Sequence, residues 1–429
     1  MSSKESPAAV LSNKRKRYQI EINVPAIRKA LDSRPAAQVE NTITDPCQDG
    51  DPHLSVQDKA SFQPPPALEP GVPALRTYYM YLTEGCNLAC QHCWVKPTYT
   101  QDKGTGGHVE LNRLLKACED AKPLGLSQVK LTGGEPLLYP DFVDLVYALK
   151  KMGLRIWMET NLTLLTPENA NATLDTMKFI STSLDSATEE GHDTFRGVKG
   201  GFRATCEAIK LLSPHINLQV IMSVHSGNAD EIEDLIKLSK DLGARSVKFN
   251  LIQMVGRANI MKRDGRVLDI HELIRLGNLV ERQLTEKYNM PLIWSWPSAF
   301  ASIKDLTKGK HRGMCGIHNI LGVLGSGHYA LCGIGQTVEE LVYGSLDDDI
   351  VDIWNHNEML KRLRTELPAE LRGICGDCIH KRGCKAHCVA NNYYESNSLK
   401  ESNWFCAEAH RAGLFPESRM VAPYLAQPV

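Results

Sequence analysis

The 429-residue sequence contains no run of about eighteen apolar residues, so it predicts no membrane-spanning helix. It also has no apolar signal segment ahead of its first closely spaced cysteines, because the chain starts with polar residues and a basic run at positions 14–17. We therefore expect a reducing, cytoplasmic location. In such a compartment, grouped cysteines hold metal or carry out redox chemistry more often than they form disulfides.

An excess of charge of either sign is missing too. The 49 Lys and Arg residues stand against 50 Asp and Glu residues, which gives a net charge of −1. Because the basic residues are scattered among acidic ones, the sequence predicts neither a nucleic acid nor a membrane as a partner. We expect the basic run at 14–17 to be a solvated tail. The length suits one large domain and a smaller one.

Thirteen cysteines are too few for a disulfide scaffold of this length, yet ten of them fall into two groups. The first group is Cys86-x3-Cys90-x2-Cys93. The second consists of Cys315, Cys332, Cys375, Cys378, Cys384, Cys388 and Cys406. Thiolates are soft ligands that suit iron–sulfur clusters or zinc. Three thiolates leave a four-iron cluster one ligand short, and an iron with an open position indicates a site built for chemistry.

A zinc ribbon would explain the pair Cys375-x2-Cys378 by itself, since zinc ribbons use the same spacing. Zinc does not explain the three-cysteine group that comes first. A non-catalytic metal-binding module therefore remains the weaker alternative to an enzyme.

Residues 1–75 are predicted to form a weakly ordered arm or linker, because prolines and polar residues dominate and little apolar surface is available for burial. The exception is 18–31, which predicts a short strand and then a helix. We interpret this stretch as an arm packed on the main domain, in preference to the remnant of a peptide-docking element.

Residues 76–300 alternate between strand and helix patterns. Strands are predicted at 78–82, 128–131, 155–159, 179–184, 218–224 and 246–252, and helices at 109–121, 142–151, 203–212 and 231–242. Six strands mostly separated by helices predict a parallel α/β sheet curled into a partial (β/α)6 barrel. Chemistry in such folds gathers at the carboxyl ends of the strands. The first cysteine group, 133–135, 159–161 and 183–185 all fall at such ends.

Residues 301–412 lose this alternation, except around 350–363, and are rich in cysteine, glycine and histidine. Regions of this kind are often held together by metal, so we predict a small cluster-bearing domain followed by a tail at 413–429.

The first cysteine group, followed by Gly133-Gly134-Glu135-Pro136, resembles the radical S-adenosylmethionine (SAM) superfamily. The later cysteines, with Gly327-x4-Cys332, resemble the C-terminal extension called SPASM. Together the two resemblances cover roughly residues 77–410. They imply a 4Fe–4S cluster on the first group, whose open iron takes the amino and carboxylate groups of SAM. Reductive cleavage of SAM would then give a 5′-deoxyadenosyl radical, which a closed site must shield from water.

The resemblance also implies residues that contact SAM. His92 and Val255 would contact the adenine, and Asn161 the ribose. Gly133 and Gly134 would let the backbone approach SAM closely, with Glu135 as the acceptor for its ammonium group. Ser183 and Arg196 would meet the SAM carboxylate and ribose. Three alternatives stay open at this point. His92 is otherwise a solvent-facing loop residue, the glycine run is otherwise an ordinary turn, and Asp185 is either part of the site or a structural turn residue.

Two auxiliary 4Fe–4S clusters are implied as well. The inner one would take Cys315, Cys332 and Cys388, and the outer one Cys375, Cys378, Cys384 and Cys406. Residues 305–314 contain no cysteine to complete the inner set. That cluster is therefore open, or closed by a ligand such as His311 or His318. Of the remaining cysteines, Cys118 and Cys206 lie on predicted helices and are expected to be buried apolar residues.

A peptide substrate follows from the same resemblance. The sulfatase-maturing branch carries an aspartate directly after the cysteine equivalent to Cys332, and this chain has Gly333 there. Residues 388–416 look more like maturases of ribosomally made peptides, which form crosslinks, epimerise residues or excise backbone units. The expected partners are a precursor peptide, a small leader-peptide-binding protein and an external electron donor. A SPASM dehydrogenase acting on a sugar or other small metabolite is the alternative.

Overall fold

The computed structural model describes residues 19–34, 65–303, 306 and 315–421. None of the helices in these residues combines the length and apolar character that a membrane span requires. The predicted start of a strand at Tyr18 falls outside the described residues. So do most of the first 75 positions, Cys47 and His311.

The strands bear out the predicted α/β architecture. They are β1 (Thr77–Tyr81), β2 (Gly85–Cys86), β3 (Thr98–Tyr99), β4 (Gln128–Thr132), β5 (Arg155–Thr160), β6 (Met177–Ser183), β7 (Asn217–Val224), β8 (Ser246–Leu251), β9 (Leu292–Trp294), β10 (Ile320–Val323), β11 (His328–Ala330) and β12 (Val342–Ser345). Strands β1, β4, β5, β6, β7 and β8 lie side by side in sequence order and pair in parallel. These are the six strands expected of the partial barrel, and β9 extends them at one edge.

The helices of the first part of the chain bury apolar residues, except Thr285–Tyr288, which has no buried residue. In the first part of the chain they are α1 (Val24–Leu31), α2 (Leu111–Ala121), α3 (Phe142–Lys151), α4 (Pro167–Thr176), α5 (Glu189–Arg196), α6 (Gly201–Leu212), α7 (Ile232–Asp241), α8 (Ala258–Arg263), α9 (Ile270–Leu279) and α10 (Thr285–Tyr288). In α3, the buried residues Phe142, Leu145, Val146 and Leu149 follow the helical spacing that predicts a core-facing stripe. Cys118 and Cys206 are buried in the same core, as expected.

Five helices in this part, α4, α5, α8, α9 and α10, were not predicted, and the first two show why. Helix α4 begins with a capping box between Thr166 and Asn169, which satisfies backbone groups at its first turn. Helix α5 begins at the Thr188 cap and ends at Gly197, whose φ of 75° places it in the left-handed region. Both helices start from local polar contacts, which the apolar periodicity could not show.

The arm at 19–34 lies on the barrel. Ile27 and Leu31 of α1 are buried in the main core, and α1 packs against α4 and α6. The Arg34 side chain donates to Asn171 at 2.9 Å and forms an ion pair with Asp175 at 2.8 Å. Ahead of α1, the Ile20 backbone N–H donates to the Lys199 carbonyl at 3.0 Å. The arm therefore covers one outer side of the barrel.

Beyond residue 301 the chain continues the same sheet. Strand β10 pairs in parallel with β1, and β10, β11 and β12 then pair in antiparallel order. The later helices are α11 (Ile350–His356), α12 (Glu358–Glu366), α13 (Gly373–Gly376), α14 (Lys381–Cys384), α15 (Val389–Ser396) and α16 (Trp404–Arg411). Apolar residues of this region, such as Trp354 and Phe405, belong to the same buried core as the barrel. The region thus shares an apolar core with the barrel, which its composition did not suggest.

Candidate active site at the carboxyl ends of the strands

The first cysteine group follows β1 in a loop at the carboxyl edge of the sheet. Cys86 and Cys90 are buried, and Cys93 is half-buried. The three pack with Ile20 of the arm against a small apolar cluster. Burial raises the pKa of Cys86 well above its ordinary value, and the charges of Cys90 and Cys93 raise it further. The three cysteines therefore lie together in one loop and one apolar cluster, as ligands of a shared iron–sulfur cluster would have to.

Backbone hydrogen bonds hold this loop on two sides. Ala89 N–H donates to the Arg196 carbonyl at 2.9 Å, and Gln91 N–H donates to the Phe195 carbonyl at 3.0 Å. On the other side, Arg257 N–H donates to the Cys93 carbonyl at 3.1 Å. The last turn of α5 and the start of α8 therefore fix the loop, and neither helix was predicted from the sequence.

The glycine run packs directly on the cysteine loop. Gly134 N–H donates to the Thr83 carbonyl at 3.0 Å, and Glu135 N–H donates to the Gly85 carbonyl at 2.9 Å. A Cβ at Gly134 would lie 1.8 Å from the Gly85 carbonyl oxygen, closer than any non-bonded contact allows. Gly133 has a φ of +117°, which favours glycine. The run thus combines a turn with a close approach between two backbone segments.

Glu135 joins the carboxyl ends of β4 and β5. One carboxylate oxygen accepts hydrogen bonds from the Leu137 N–H and the Thr160 hydroxyl, and the other accepts from the Asn161 N–H at 2.8 Å. The side chain is buried, and burial raises the pKa of Glu135 from 4.5 to about 7 against the lowering effect of these hydrogen bonds. A carboxylate has room for about four donors, so one position remains for an ammonium group.

Glu135 should make stability depend on pH. Because its pKa is raised in the folded protein, its contribution is complete below about pH 4.5 and is lost as the pH rises through about 7. We expect a loss of about 2 kcal/mol between pH 5.5 and 8. Thermal unfolding across this range should show the loss in the parent protein and not in Glu135→Gln. Parallel pH profiles for the two proteins would contradict this role.

Asn161 belongs to a buried polar network beside the first cysteine. Its side-chain N–H₂ donates to Asn87 at 2.9 Å, and its side-chain oxygen accepts from the hydroxyl of Thr163 at 2.7 Å. Asn87 in turn donates to that hydroxyl at 2.7 Å. The network leaves the Asn161 amide one N–H for a ribose hydroxyl. Asn87 and Thr163 were not predicted, although the position of Asn87 directly after Cys86 was a usable signal.

His92 lies in a stack of three rings. Its ring is parallel to that of Phe195 at a centroid distance of 4.7 Å, and Phe195 stacks on His225 at 4.3 Å. One ring nitrogen of His92 lies 3.3 Å from the Ser223 hydroxyl. Burial, together with the nearby Arg196 charge, lowers the pKa of His92 to about 3, so the ring is neutral. The structure thus places His92 in a packed stack and not in a solvent-facing loop.

Asp185 and Arg196 form a buried ion pair. The Arg196 Nε donates to one oxygen of Asp185, whose other oxygen accepts from the Ser223 N–H at 2.8 Å. Burial acts to raise the pKa of Asp185, but the Arg196 charge, the two nearby histidines and the Ser223 hydrogen bond together lower it. The second donor of Arg196 points to Cys90, with Nη1 3.5 Å from the sulfur atom. Asp185 is therefore the partner of a residue that touches the cysteine loop.

The two remaining predicted SAM contacts differ in setting. Ser183 is half-buried at the end of β6, two residues before Asp185. Val255 is fully buried in the main core, so its side chain faces the core and not an open surface. Next to it, a Cβ at Gly256 would lie 2.7 Å from the Trp94 backbone. This segment meets the cysteine loop through backbone contact.

The outer set of the second cysteine group converges on one small cavity. Cys375, Cys378, Cys384 and Cys406 line it together with Phe415. A hydrogen bond from the Cys406 thiol lowers the pKa of Cys375 to about 7, whereas burial raises the pKa of Cys378 to about 11. Four thiols facing one cavity are a donor set suited to an iron–sulfur cluster. In the described part of the chain, no three or more Cys, His, Asp or Glu side chains are arranged for a single metal ion.

The inner set of the second cysteine group is Cys315, Cys332 and Cys388. Burial raises the pKa of Cys332 to about 12, and the charge of Cys388 adds to this effect. Cys315 is half-buried against the same core. The His318 side chain makes a hydrogen bond with the Leu363 backbone, and burial lowers its pKa to about 4. Its Nε2 is buried without a partner among the described residues.

Position 333 is filled by a neighbouring ring. A Cβ at Gly333 would lie 2.2 Å from the ring of Tyr81 and 2.5 Å from its hydroxyl oxygen. No aspartate fits there unless Tyr81 moves. Tyr81, at the end of β1, also packs edge-on against Trp94 at a centroid distance of 6.1 Å. The sequence showed that the aspartate is missing, and the structure shows that Tyr81 occupies its space.

Comparison with known proteins places this site in a family. Residues 80–239 match the radical SAM superfamily. An AdoMet-dependent heme synthase of Methanosarcina barkeri is 27% identical over 345 residues, which cover 76% of this chain and 94% of that protein. The antilisterial bacteriocin subtilosin biosynthesis protein AlbA of Bacillus subtilis is 36% identical over 180 residues, covering 41% of this chain and 39% of that protein.

The fold is also found among solved structures. The crystal structure of Streptococcus suis SuiB bound to precursor peptide SuiA superposes with a TM-score of 0.61 and 15% identity, covering 78% of this chain and 76% of that one. The matched residues 80–239 contain the first cysteine group, the glycine run and the Asp185–Arg196 pair. This match sets aside the alternative of a non-catalytic metal-binding module. Residues 80–239 therefore form a radical SAM domain.

Proposed function

We propose that this enzyme modifies a ribosomally synthesised precursor peptide by hydrogen abstraction. Cys86, Cys90 and Cys93 would hold the 4Fe–4S cluster that binds SAM, and this cluster would supply the 5′-deoxyadenosyl radical. The observation that carries the proposal is the convergence of three thiols in a loop fixed by α5, α8 and the glycine run. Crosslinking, epimerisation and backbone excision are all compatible with this chemistry.

The chain's own residues would bind and shield SAM. The neutral ring of His92 would offer a flat face to the adenine, and the free lone pair of Glu135 would accept from the ammonium group. Ser183, at the carboxyl end of β6, would contact the ribose. Ile20 and the apolar cluster around the cysteine loop would exclude water from its outer side.

A peptide substrate is supported by two likenesses. AlbA contributes to the biosynthesis of a bacteriocin, and the fold is shared with SuiB, which was solved with a precursor peptide. A cavity of about 400 Å³ at the carboxyl ends of β7 and β8 has room for a peptide side chain. Val224, Leu251 and Trp404 line its apolar part, and Lys262 and Glu395 lie among its charged residues. The proposal also includes an external electron donor and a small protein that binds the leader peptide.

The second cysteine group would hold two auxiliary 4Fe–4S clusters. The outer one would use the four cysteines of the lined cavity, and the inner one would use Cys315, Cys332 and Cys388. When bound, such clusters can accept an electron and stabilise the fold. The fourth ligand of the inner cluster would be His311, His318 or a substrate atom.

Replacing Cys378 by alanine should separate SAM cleavage from product formation. We expect the variant to lose about four of about twelve irons and to form no product, while weak SAM cleavage persists at the first cluster. Residues 315–421 are also held by the apolar core that they share with the barrel. The loss of stability should therefore be confined to the residues around the missing cluster. Cys206→Ala, at a buried cysteine outside both groups, is the matched control and should keep its iron. Full product yield from Cys378→Ala would contradict the proposed cluster.

A labelled precursor peptide tests the substrate. Incubation of the reconstituted enzyme with a precursor peptide from its own gene neighbourhood should give 5′-deoxyadenosine in step with a mass change of the peptide. If the peptide carries deuterium throughout, deuterium should appear in 5′-deoxyadenosine. Transfer from a labelled sugar or other small metabolite, with none from the peptide, would show that the peptide assignment is wrong.

A haem-forming reaction is the second candidate, because the similarity to the heme synthase extends over 94% of that protein. Incubation with a porphyrin-type haem precursor distinguishes the two candidates. The peptide proposal expects no 5′-deoxyadenosine above background with the porphyrin. Stoichiometric 5′-deoxyadenosine and conversion of the porphyrin to haem would favour the second candidate.

A further inference from the structure

Arg196 is a buried cation that contacts a sulfur of the first cysteine group. Its side chain is 8% exposed, and that of its partner Asp185 is fully buried. The guanidinium uses Nε for Asp185 and Nη1 for Cys90, whose sulfur atom lies 3.5 Å away. Both donor directions are therefore fixed by the protein.

The geometry of Asp185 explains why the guanidinium holds this position. The Asp185 carboxylate oxygen that does not contact Arg196 accepts from the Ser223 N–H at 2.8 Å. The Asp185 backbone carbonyl accepts from the Asn228 side chain at 2.7 Å. The carboxylate is thus fixed by β7 and the segment that follows it. A buried carboxylate held in this way orients the guanidinium, much as outer groups orient metal ligands.

We propose that Arg196 tunes the reduction potential of the first cluster through Cys90, and that Asp185 holds Arg196 in place as a positioning residue. This inference rests on the cluster site proposed above. Hydrogen bonds to cluster sulfur atoms and nearby charge are established controls of cluster potential. Reduction adds one electron, supplied by an external low-potential donor, and makes the cluster more negative. A buried guanidinium stabilises that form, since low dielectric strengthens its attraction.

The family resemblance gave Arg196 a different task, contact with the SAM carboxylate. The two tasks can be separated because the contact with Cys90 does not require SAM. A potential measured without SAM reports only on the cluster and the protein groups around it. SAM affinity, measured separately, reports the other task.

The test is a redox titration of SAM-free, reconstituted enzyme, followed by electron paramagnetic resonance. The signal of the first cluster is the one absent from the variant in which Cys86, Cys90 and Cys93 are alanine. In Arg196→Gln, we expect the ratio of reduced to oxidised cluster at a fixed potential to fall at least tenfold, or about 59 mV for one electron.

Asp185→Asn should shift the potential the opposite way, because the Asn side-chain oxygen can still accept from Arg196 Nε and hold the guanidinium while one negative charge is removed. The matched control is Arg203→Gln, since Arg203 is a mostly exposed arginine paired with Glu189 at 2.9 Å. That variant should leave the potential unchanged. Opposite shifts from the two members of one ion pair are not expected if the pair serves only to support the fold.

Three results would overturn the inference. One is an unchanged potential in cluster-loaded Arg196→Gln, whether or not SAM affinity falls. If Arg196→Gln loses its iron, the potential of Asp185→Asn becomes the deciding measurement. An unchanged or lowered potential of the first cluster in Asp185→Asn is then the second such result. Iron loss from both variants, with the control loaded, would assign the pair a structural role. Failure of the proposed function would look different, because the potential shifts would remain while labelled peptide gave no transfer.

Discussion

Replacing Cys86, Cys90 and Cys93 together by alanine is expected to abolish SAM cleavage and to remove about four of about twelve irons. The three cysteines pack in one small cluster, and the sequence has no fourth cysteine in this loop. Without them no open iron is available to bind SAM. Iron and sulfide analysis and a 5′-deoxyadenosine assay on anaerobically reconstituted protein provide the measurement.

The control for this triple variant is Cys118→Ala, at a cysteine buried in the core of α2 and outside both groups. That variant loses only a small buried group, at a cost of about 1 kcal/mol, and should keep its iron and its SAM cleavage. SAM cleavage that persisted in the triple variant would contradict the proposed site.

Replacing Gly134 by alanine is expected to have the second-largest effect. The new Cβ would lie 1.8 Å from the Gly85 carbonyl oxygen, a backbone atom that cannot rotate away. Gly85 directly precedes Cys86, so relief of the clash must displace the cysteine loop. We expect a loss of roughly 3 kcal/mol in stability and little or no cluster at the first site. Thermal unfolding and iron content measure the two effects.

Gly413→Ala is the matched control. Gly413 has a φ of +69°, and a Cβ added there would have no neighbour within 4 Å, so only the backbone conformation is strained, at about 1 kcal/mol. Its iron content should be normal. If Gly134→Ala matched Gly413→Ala in both stability and iron content, the close approach of Gly134 to Gly85 would not be needed for cluster binding.

The sequence predicted those features that follow from local pattern. Helix α3 was predicted at its observed bounds because its apolar residues recur at helical spacing. The cysteine spacings are chemically specific and needed no tertiary information. Helix α5 was missed because it has only one apolar buried side chain, Phe195, and a glycine in its interior. Its formation depends on the Thr188 cap and on packing against the cysteine loop.

Other site residues became visible only when distant segments met. The ring stack joins positions 92, 195 and 225, and no spacing in the sequence relates them. Likewise, Gly333 marked a missing aspartate, but the ring that fills its space comes from Tyr81, more than 250 residues earlier. Strands β10 to β12 have four residues or fewer each, too short for a reliable period-two pattern.

The pairing of β1 with β10 has a consequence for how the protein is made. Thr77 is paired with Ile320, more than 240 residues later in the chain. At about 5–20 residues per second, synthesis needs on the order of 10–50 s to pass from one strand to the other. Throughout that time one edge of β1 has no strand beside it, and an open edge invites pairing with other chains. Such long-range pairing folds slowly, so the cysteine loop that follows β1 reaches its final setting late in folding.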